Sequence, residues 1–465
     1  MRPLLLLPEI LLFVGGLGVL IGGSFLPRRR LWITRVAAAS VLVAAIGVAA
    51  VLLAGPDGDA FDGTFRVDTA TGIARIVAAF ATLLVLALAC DELAGSPRES
   101  ETYSLAMFST TGTMLLSGAN DLLVLAPAFL LASIPLYGLI GLNRSAQGAE
   151  ATMKTYLMGA LFGIVLLLGI TVVYGVAGST RYVDFAAGLA PVAPGAVAAG
   201  VFAIVCGLLF KAGGVPAHFW VPDAAQGSSG TVAAFLTTVP KIGALIAVYR
   251  LMLALPGTLN WTVVIAVVAA ASMTLGNLAA YWQQDPRRLL GWSTVAQVGF
   301  LLVPVVAAGR SDLALPSLLF YLAGYTVTNL AAFAVTTALP TLRDIKSYRG
   351  MGFTHPWLAA ALVVALLGLV GTPPTAVFVG KLTTATAAWD SGYAWLAIVA
   401  LLNSLISLFY YLRWIIPTAS RPDPDADVVE FTPTRWATGT AISAAALSVV
   451  LGVAAGAVWA VVGGS

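Results

Sequence analysis

The sequence predicts an all-α polytopic membrane protein with about fourteen transmembrane helices, and three observations support this. Of its 465 residues, 59% are hydrophobic and only 10% are charged, whereas soluble domains carry about 25% charged residues. The mean hydropathy is +0.95. Apolar runs of roughly 20 residues, long enough to cross a bilayer as a helix, recur along the chain. Together these values exclude a soluble globular protein, a disordered chain and a nucleic-acid binder.

Few side chains are of the kinds that build disulfides, metal sites or nucleotide sites. The two cysteines, Cys90 and Cys206, both lie in apolar runs, so the sequence predicts no disulfide framework. With only His218 and His355 in addition, we expect no metal site. The short connections leave no room for a Gly-rich phosphate loop, so we also expect no bound cofactor.

The predicted spans follow the apolar runs in order along the chain. The first run is too long for a cleaved signal peptide, and Arg28–Arg30 follow it where a small-residue cleavage site would be needed. The whole chain, 1–465, is therefore expected to be one transmembrane domain. The predicted spans are 4–26, 31–54, 70–90, 103–118, 121–142, 152–177, 195–219, 229–255, 259–281, 290–308, 312–338, 357–388, 393–416 and 436–462.

The distribution of Lys and Arg predicts the orientation of these spans. If both termini lie on the outer side, the connections that face the cytoplasm hold 14 Lys and Arg residues and the outer side holds 6. Cytoplasmic connections of membrane proteins are enriched in these residues. The acidic stretch 57–68 then also lies outside. We therefore expect a multi-pass protein of the cell (inner) membrane with both termini on the outer side.

Four of the five lysines lie within or at the edge of a predicted span. Lys211, Lys241 and Lys381 lie deep in their spans, whereas Lys154 occupies a first turn, four residues after Glu150. A lysine at the centre of a membrane helix costs about 2.5–3.5 kcal/mol on insertion scales, so buried lysines indicate a function. Since neighbouring charges change the proton affinity of a lysine, the row is a candidate proton relay. For Lys154, snorkelling to the membrane surface is an equal alternative.

His218 is a candidate for extending this row, because imidazole titrates near neutral pH. The alternative is a capping or interfacial histidine beside Trp220. His355 precedes Pro356 in a predicted connection and is expected to be inert.

Glycine and proline interrupt two predicted spans, at 213–216 in the seventh and at 371–374 in the twelfth. Such breaks free backbone groups and persist only where protein or water satisfies them. Because the two breaks lie an odd number of spans apart, their helices should run in opposite directions. This pattern is typical of inverted repeats and predicts two five-helix repeats, over 103–255 and 259–416. Two unrelated proline kinks are the alternative.

Several motifs, in the same order along the chain, resemble those of the antiporter-like membrane subunits of respiratory complex I. The resemblance covers about 103–415 and includes the seventh-span and eighth-span lysine motifs. Its last two segments, and the absence of a long lateral C-terminal helix, look most like subunit N. The matching segments are 210–223, 235–241, 277–280, 287–290, 292–300, 371–381 and 403–413.

This resemblance implies a proton-translocating subunit of an NADH:quinone oxidoreductase. In that family Lys211, Lys241 and Lys381 would carry protons along a buried axis of lysines and water, with Lys154 as an accessory. The expected partners are the lipid bilayer and other membrane-arm subunits of a respiratory complex. Quinone and all redox groups would belong to those partners.

Two positions depart from the family pattern. The family has a glutamate three residues before the serine that corresponds to Ser133, and this chain has Leu130. The glutamate that usually follows the seventh span is Gln226. Lys211 therefore lacks its usual carboxylate partner and the charge stabilisation that the carboxylate would give.

Other interpretations stay open at this stage. The alternative from the same superfamily is a subunit of a multi-subunit cation/proton antiporter or of a membrane-bound hydrogenase. A divergent structural subunit that no longer conducts protons is a further alternative, because of Leu130. A stand-alone transporter of a small solute also has broken helices, but it would need a polar substrate pocket.

Overall fold

The computed structural model describes residues 2–256, 260–422 and 432–463, and most of these residues are helical. The helices of the amino-terminal half are α1 (Leu7–Phe25), α2 (Trp32–Leu53), α3 (Thr69–Glu92), α4 (Glu99–Gly118), α5 (Leu122–Gly141), α6 (Ala146–Ala177), α7 (Tyr182–Leu189), α8 (Pro194–Ala212), α9 (Trp220–Gly227), α10 (Gly230–Leu236) and α11 (Val239–Ala254). Those of the carboxyl-terminal half are α12 (Trp261–Ala280), α13 (Pro286–Val306), α14 (Ala314–Ala338), α15 (Met351–Thr354), α16 (Pro356–Val370), α17 (Ala376–Asp390), α18 (Ala394–Ala419), α19 (Arg435–Val453) and α20 (Ala455–Val462).

The predicted all-α polytopic membrane fold is confirmed. In the described ranges, 12 helical segments are long and apolar enough to cross a membrane. Two predicted spans are not among them, the fourth and the twelfth. The twelfth is divided between α16 and α17, each only 15 residues long. The number of spans and their grouping into repeats stay predictions.

The fourth predicted span, α4, differs from its neighbours in composition. It has 20 residues, among which are four serines and four threonines, and it begins with Glu99 and Glu101. Most of its side chains are buried against α1, α3, α5 and α11. A helix that is covered by protein has little contact with lipid and can carry hydroxyl groups, many of which donate to the carbonyl one turn earlier.

Helices α10, α11, α13 and α14 form the centre of the molecule. The apolar 18-residue stretch of α10–α11 is completely buried, and 94% of the corresponding stretch is buried in α13 and in α14. In α1, α2 and α6 less than a third of the corresponding apolar stretch is buried. Large apolar side chains on these outer helices face outward, as expected where lipid or partner subunits surround the chain. Charged groups on α11 are therefore far from the lipid-facing surface.

A β-hairpin connects α2 to α3, in the acidic stretch that the sequence assigns to the outer side. Its strands, β1 (Gly58–Ala60) and β2 (Phe65–Val67), pair antiparallel. The ring of Phe65 is buried against Gly118, where any side chain would collide with it. After β2, Asp68 caps α3 through the Thr71 N–H. Burial opposes the ionisation of Asp68, but the Arg250 guanidinium outweighs it and holds the pKa of Asp68 below its usual value.

Both breaks that the glycines and prolines predict are helix ends in the structure. Gly213 follows α8 with a φ of +83°, and Gly371 follows α16 with a φ of +90°. At each end, the glycine N–H donates to two carbonyls of the preceding turn. Left-handed glycine of this kind is a common way to end a helix.

A third break lies between α10 and α11 and was not predicted. It interrupts the eighth predicted span at Thr237 and Thr238, just before Pro240 in the first turn of α11. A proline in the first helical turn fits a helix start, because its missing N–H would have no intrahelical partner there. This break places the carbonyl of Thr237 at a helix end in the middle of the bundle.

Candidate functional site

Two lysines lie around the carboxyl end of α8. Lys211 is in its last turn, and Lys241 binds its last carbonyl. The Lys211 ammonium is buried in the last turn of this helix and donates to the carbonyl of Ala132 on α5, at 2.7 Å. Lys241, on α11, is fully buried and donates to the carbonyl of Ala212, also at 2.7 Å. The last carbonyls of a helix carry partial negative charge. The end of α8 therefore stabilises positive charge on Lys241 and lies next to Lys211.

Lys381, which is half-buried, repeats this arrangement at the carboxyl end of α16. Its ammonium donates to the carbonyls of Leu369 and Val370, at 3.2 and 3.0 Å, and to the Ser404 hydroxyl at 3.1 Å. It also lies 3.9 Å from the centre of the Phe300 ring. Carbonyl groups and an aromatic face both attract a cation in an apolar environment.

Within the described ranges, none of these three lysines forms an ion pair. Leu130, which stands where the family has a glutamate, supplies no carboxylate, and its side chain is 39% exposed at the surface of the chain. Gln226 accepts a hydrogen bond from Arg288 at 3.0 Å. Backbone carbonyls and hydroxyl groups therefore replace carboxylates around the buried lysines.

A buried hydrogen-bond network begins one helical turn before Lys241. The Tyr325 hydroxyl donates to the carbonyl of Thr237 at 2.7 Å and lies 3.2 Å from the Thr294 hydroxyl. The Asn329 amide donates to the Thr237 hydroxyl at 3.0 Å. The break between α10 and α11 thus supplies a free carbonyl that ties α11 to α13 and α14.

The network continues along α13 towards Lys381. Gln297 lies one turn after Thr294, and its amide nitrogen donates to the carbonyl of Leu369 at 2.8 Å. The same carbonyl accepts from Lys381. The Tyr321 hydroxyl donates to the amide oxygen of Gln297 at 2.5 Å. Polar groups therefore connect the surroundings of Lys241 with those of Lys381 through the centre of the molecule.

Lys154 lies apart from this buried row. Its side chain is 47% exposed and pairs with Glu150 at 2.6 Å and with Asp223 at 2.8 Å. Arg288 contacts the other oxygen of Asp223 at 2.5 Å. The geometry places Lys154 in an exposed ion-pair network that links α6, α9 and α13.

His218 lies in the connection between α8 and α9 and is buried. Its ring packs against those of Phe219 and Trp292, with centroids 4.4 and 5.6 Å away. Among the described residues, its Nδ1 atom has no hydrogen-bond partner. These contacts link His218 to aromatic rings and not to Lys211, Lys241 or Lys381.

The uncharged members of the network were not predicted from the sequence, and the most important of them are Tyr321, Tyr325 and Gln297. A signal was present, because polar residues recur at helical spacing in otherwise apolar α13 and α14. The lysine ammonium groups and the hydroxyl groups of the network all carry exchangeable protons, so the site is suited to proton transfer.

Two kinds of sequence comparison indicate relatives. Residues 119–407 match the family described as NADH:quinone oxidoreductase/Mrp antiporter, TM. NADH-quinone oxidoreductase subunit N of Mycobacterium sp. (strain JLS) is 64% identical, over 99% of this chain and 98% of that protein. NADH-quinone oxidoreductase subunit N 1 of Streptomyces griseus subsp. griseus is 49% identical, over 100% of this chain and 98% of that protein.

Solved structures share the fold over nearly the whole chain. A chain of respiratory complex I from Thermus thermophilus with bound aureothin has a TM-score of 0.84 and 30% identity, covering 98% of this chain and 100% of its own length. A chain of the Mrp complex from Dietzia sp. DQ12-45-1b also has a TM-score of 0.84, at 22% identity, covering 99% of this chain and 96% of its own length. At that identity the second similarity is one of fold.

Proposed function

The chain belongs to the NADH:quinone oxidoreductase/Mrp antiporter family of membrane proteins, and we propose that it is subunit N of an NADH:quinone oxidoreductase and moves protons along its buried lysines. The relatives that share almost its full length carry the subunit N name. The observation that carries the proton-transfer role is the row Lys211, Lys241 and Lys381. Their ammonium groups bond to carbonyls inside the protein, and buried polar side chains lie between Lys241 and Lys381. Oxidation of NADH and reduction of quinone take place on partner subunits of the membrane-bound complex.

Repulsion between Lys211 and Lys241 provides a way to move charge along the row. Lys211 lies in the last turn of α8 with its ammonium on the Ala132 carbonyl of α5, and the Lys241 ammonium is bonded to the carbonyl of the residue that follows Lys211. Two positive charges this close disfavour each other in an apolar environment. Protonation of one lysine therefore favours release of a proton from the other, and the hydroxyl groups of the network lead towards Lys381.

A comparison of lysine variants tests the proposed function. We expect Lys241→Met and Lys381→Met, made in the assembled complex in vesicles, to lower the number of protons moved per NADH oxidised. The rate of NADH oxidation with an uncoupler should stay within about twofold of wild type, because the redox groups lie elsewhere. Lys346→Met is the matched control, since Lys346 is an exposed lysine in the connection that follows α14.

The proposal fails if the complexes with Lys241→Met and Lys381→Met assemble and pump as well as Lys346→Met. That result would favour a structural subunit that does not conduct. Methionine keeps most of the length of the side chain, so packing changes little.

For the arrangement in the membrane, we propose that the arginine-rich connections face the cytoplasm and that both termini lie outside. The excess of Lys and Arg in one set of connections supports this. We also propose the two five-helix repeats, 103–255 and 259–416. Their support is the recurrence of a helix that ends in left-handed glycine, at Gly213 and at Gly371, with a lysine ammonium on its last carbonyls.

A further inference from the structure

Buried polar side chains extend from the Lys381 end of the network towards the arginine-rich ends of α12, α13 and α18. We call this set the hydroxyl–amide column; its members are Gln297, Ser293, Tyr411, Tyr410, Asn277 and Asn403. Each is at most 3% exposed. The lysine row alone does not explain why so many polar groups lie there.

The first part of the column links α13 to α18. The Ser293 and Tyr411 hydroxyl oxygens are 2.5 Å apart, and Ser293 lies one turn before Gln297 on α13. The Tyr411 hydroxyl also lies near the side chains of Gln297 and Tyr410. Gln297 itself shares the Leu369 carbonyl with Lys381. Hydrogen-bonding groups therefore follow one another from Lys381 to Tyr411.

The second part links α18 to α12. The Tyr410 hydroxyl donates to the amide oxygen of Asn277 at 3.2 Å. The amide nitrogen of Asn277 donates to the side-chain oxygen of Asn403 at 3.0 Å. The rings of Tyr410 and Tyr411 have centroids 4.3 Å apart. Asn277, Asn403 and Tyr410 therefore bond across α12 and α18.

The column ends at a polar connection. Tyr281, one turn after Asn277, is half-buried, and its ring centroid is 5.9 Å from that of Tyr410. Arg413 donates to the carbonyls of Tyr281 and Gln283. The segment that follows, 283–288, contains two glutamines, an aspartate and two arginines. The ring of Tyr410 therefore lies beside a half-buried residue at the start of this polar connection.

Burying this many hydroxyl and amide groups in an apolar protein gives little stability. A hydrogen bond contributes only about 1 kcal/mol net, and leaving one buried partner unsatisfied costs about 1–3 kcal/mol. Phenylalanine and leucine would fill the same volume without that risk. Polar residues inside a membrane protein are a sign of function for this reason.

We propose that the hydroxyl–amide column conducts protons between Lys381 and the connection that joins α12 to α13, a role that rests on the proposed function. Each hydroxyl oxygen accepts a proton from one neighbour and releases its own to the next, and water molecules carry the proton between Lys381 and Tyr411 and between Tyr410 and the connection, so every group is unchanged after a transfer. The amides of Gln297, Asn277 and Asn403 hold the hydroxyl groups in position. Lys381 is the residue that binds or releases the transferred proton.

Variants that remove a single oxygen atom test the column. Tyr411→Phe, Tyr410→Phe and Ser293→Ala keep the packing, and we expect each to lower proton transport at least twofold in vesicles that contain the assembled complex. Ser293→Ala should reproduce the effect of Tyr411→Phe, since the two hydroxyl groups bond to each other. Uncoupled NADH oxidation should stay within about twofold of wild type, which a general structural defect would not allow.

Tyr393→Phe is the matched control. The Tyr393 hydroxyl is also largely buried and bonds to Thr262 at 2.7 Å, between the same two helices but at their opposite ends. We expect Tyr393→Phe to pump normally. In the same preparations, Lys381→Met reports whether the proposed function itself holds.

The outcomes separate the two proposals. If the column variants pump as well as Tyr393→Phe while Lys381→Met pumps poorly, the proposal that the column conducts protons is overturned and the proposed function stands. If Lys381→Met also pumps normally, both fail. Equal losses in Tyr393→Phe and the column variants would overturn the column too, because any lost hydroxyl group between α12 and α18 would then have the same effect.

Discussion

At the scale of single residues, the chain stabilises buried charge in two different ways. The ammonium groups of Lys211, Lys241 and Lys381 bond to backbone carbonyls and hydroxyl groups. Arg75, on α3, is paired with a carboxylate instead. Its guanidinium binds both oxygens of Glu9, at 2.7 and 2.9 Å, and both side chains are almost fully buried. A lysine that exchanges protons suits neutral partners, whereas the fixed ion pair holds α1 against α3.

We predict that Arg75→Leu lowers the free energy of unfolding of the purified chain in detergent by about 3–5 kcal/mol, because Glu9 is left as a buried charge without its partner. The double variant Glu9→Leu/Arg75→Leu should recover most of this loss. Lys154→Leu, which removes exposed ion pairs, should cost under about 1 kcal/mol. Denaturant titration measures all three. A double variant as unstable as Arg75→Leu would show that packing, not unpaired charge, explains the loss.

At the scale of elements, the ends of the broken helices determine where the lysines lie. A Cβ atom on Gly213 would lie 3.2 Å from the Lys241 Nζ atom and 2.7 Å from a Val221 methyl group. A Cβ atom on Gly371 would lie 2.9 Å from the Lys381 side chain. Each glycine therefore has two roles, since it ends the helix and leaves space for a lysine.

We predict that Gly213→Ala and Gly371→Ala lower both stability and proton transport. A left-handed alanine costs about 1–2 kcal/mol, and the new methyl group displaces a lysine. Gly392→Ala is the control, because Gly392 has a φ of +84° but no atoms within 4 Å of its would-be Cβ. Gly392→Ala should lower stability, as measured by thermal unfolding, without changing the number of protons moved per NADH oxidised. Equal loss of transport in all three variants would show that backbone strain, rather than crowding of the lysines, is responsible.

At the scale of the whole molecule, the hairpin and the connection after α14 lie at opposite ends of the bundle. The residues of a cavity of about 590 Å³ include Leu315, at the start of α14, and Asp59, in the hairpin. The other end of α14 leads to Ile345, which bonds to Gln284 in the connection before α13. The two regions are therefore suited to a test of orientation.

We predict that a cysteine at Asp59 reacts with a membrane-impermeant maleimide on intact cells, and that a cysteine at Lys346 reacts only in inside-out vesicles. Both positions are exposed, whereas the native Cys90 and Cys206 are buried and give little background. The reverse pattern of labelling would overturn the proposed orientation.

The sequence by itself determined the class of the fold, the approximate position of each membrane helix, the two glycine-proline breaks and the three lysines within the predicted spans. These properties follow from local composition, since about 20 apolar residues specify a membrane helix and a charge within one is conspicuous. The sequence motifs were also sufficient to identify the family. The break between α10 and α11 was missed, because Pro240 lies in an apolar run of normal length.

Only the tertiary structure decided what the lysines contact and which uncharged residues connect them. Tyr325, Gln297 and Tyr411 are separate in sequence, and their hydroxyl and amide groups bond across four helices. The structure also separated Lys154, in an exposed ion pair, from Lys241, which is fully buried. The physical reason is that a helix specifies its own backbone bonds locally, whereas the partner of a buried side chain depends on which helix packs beside it.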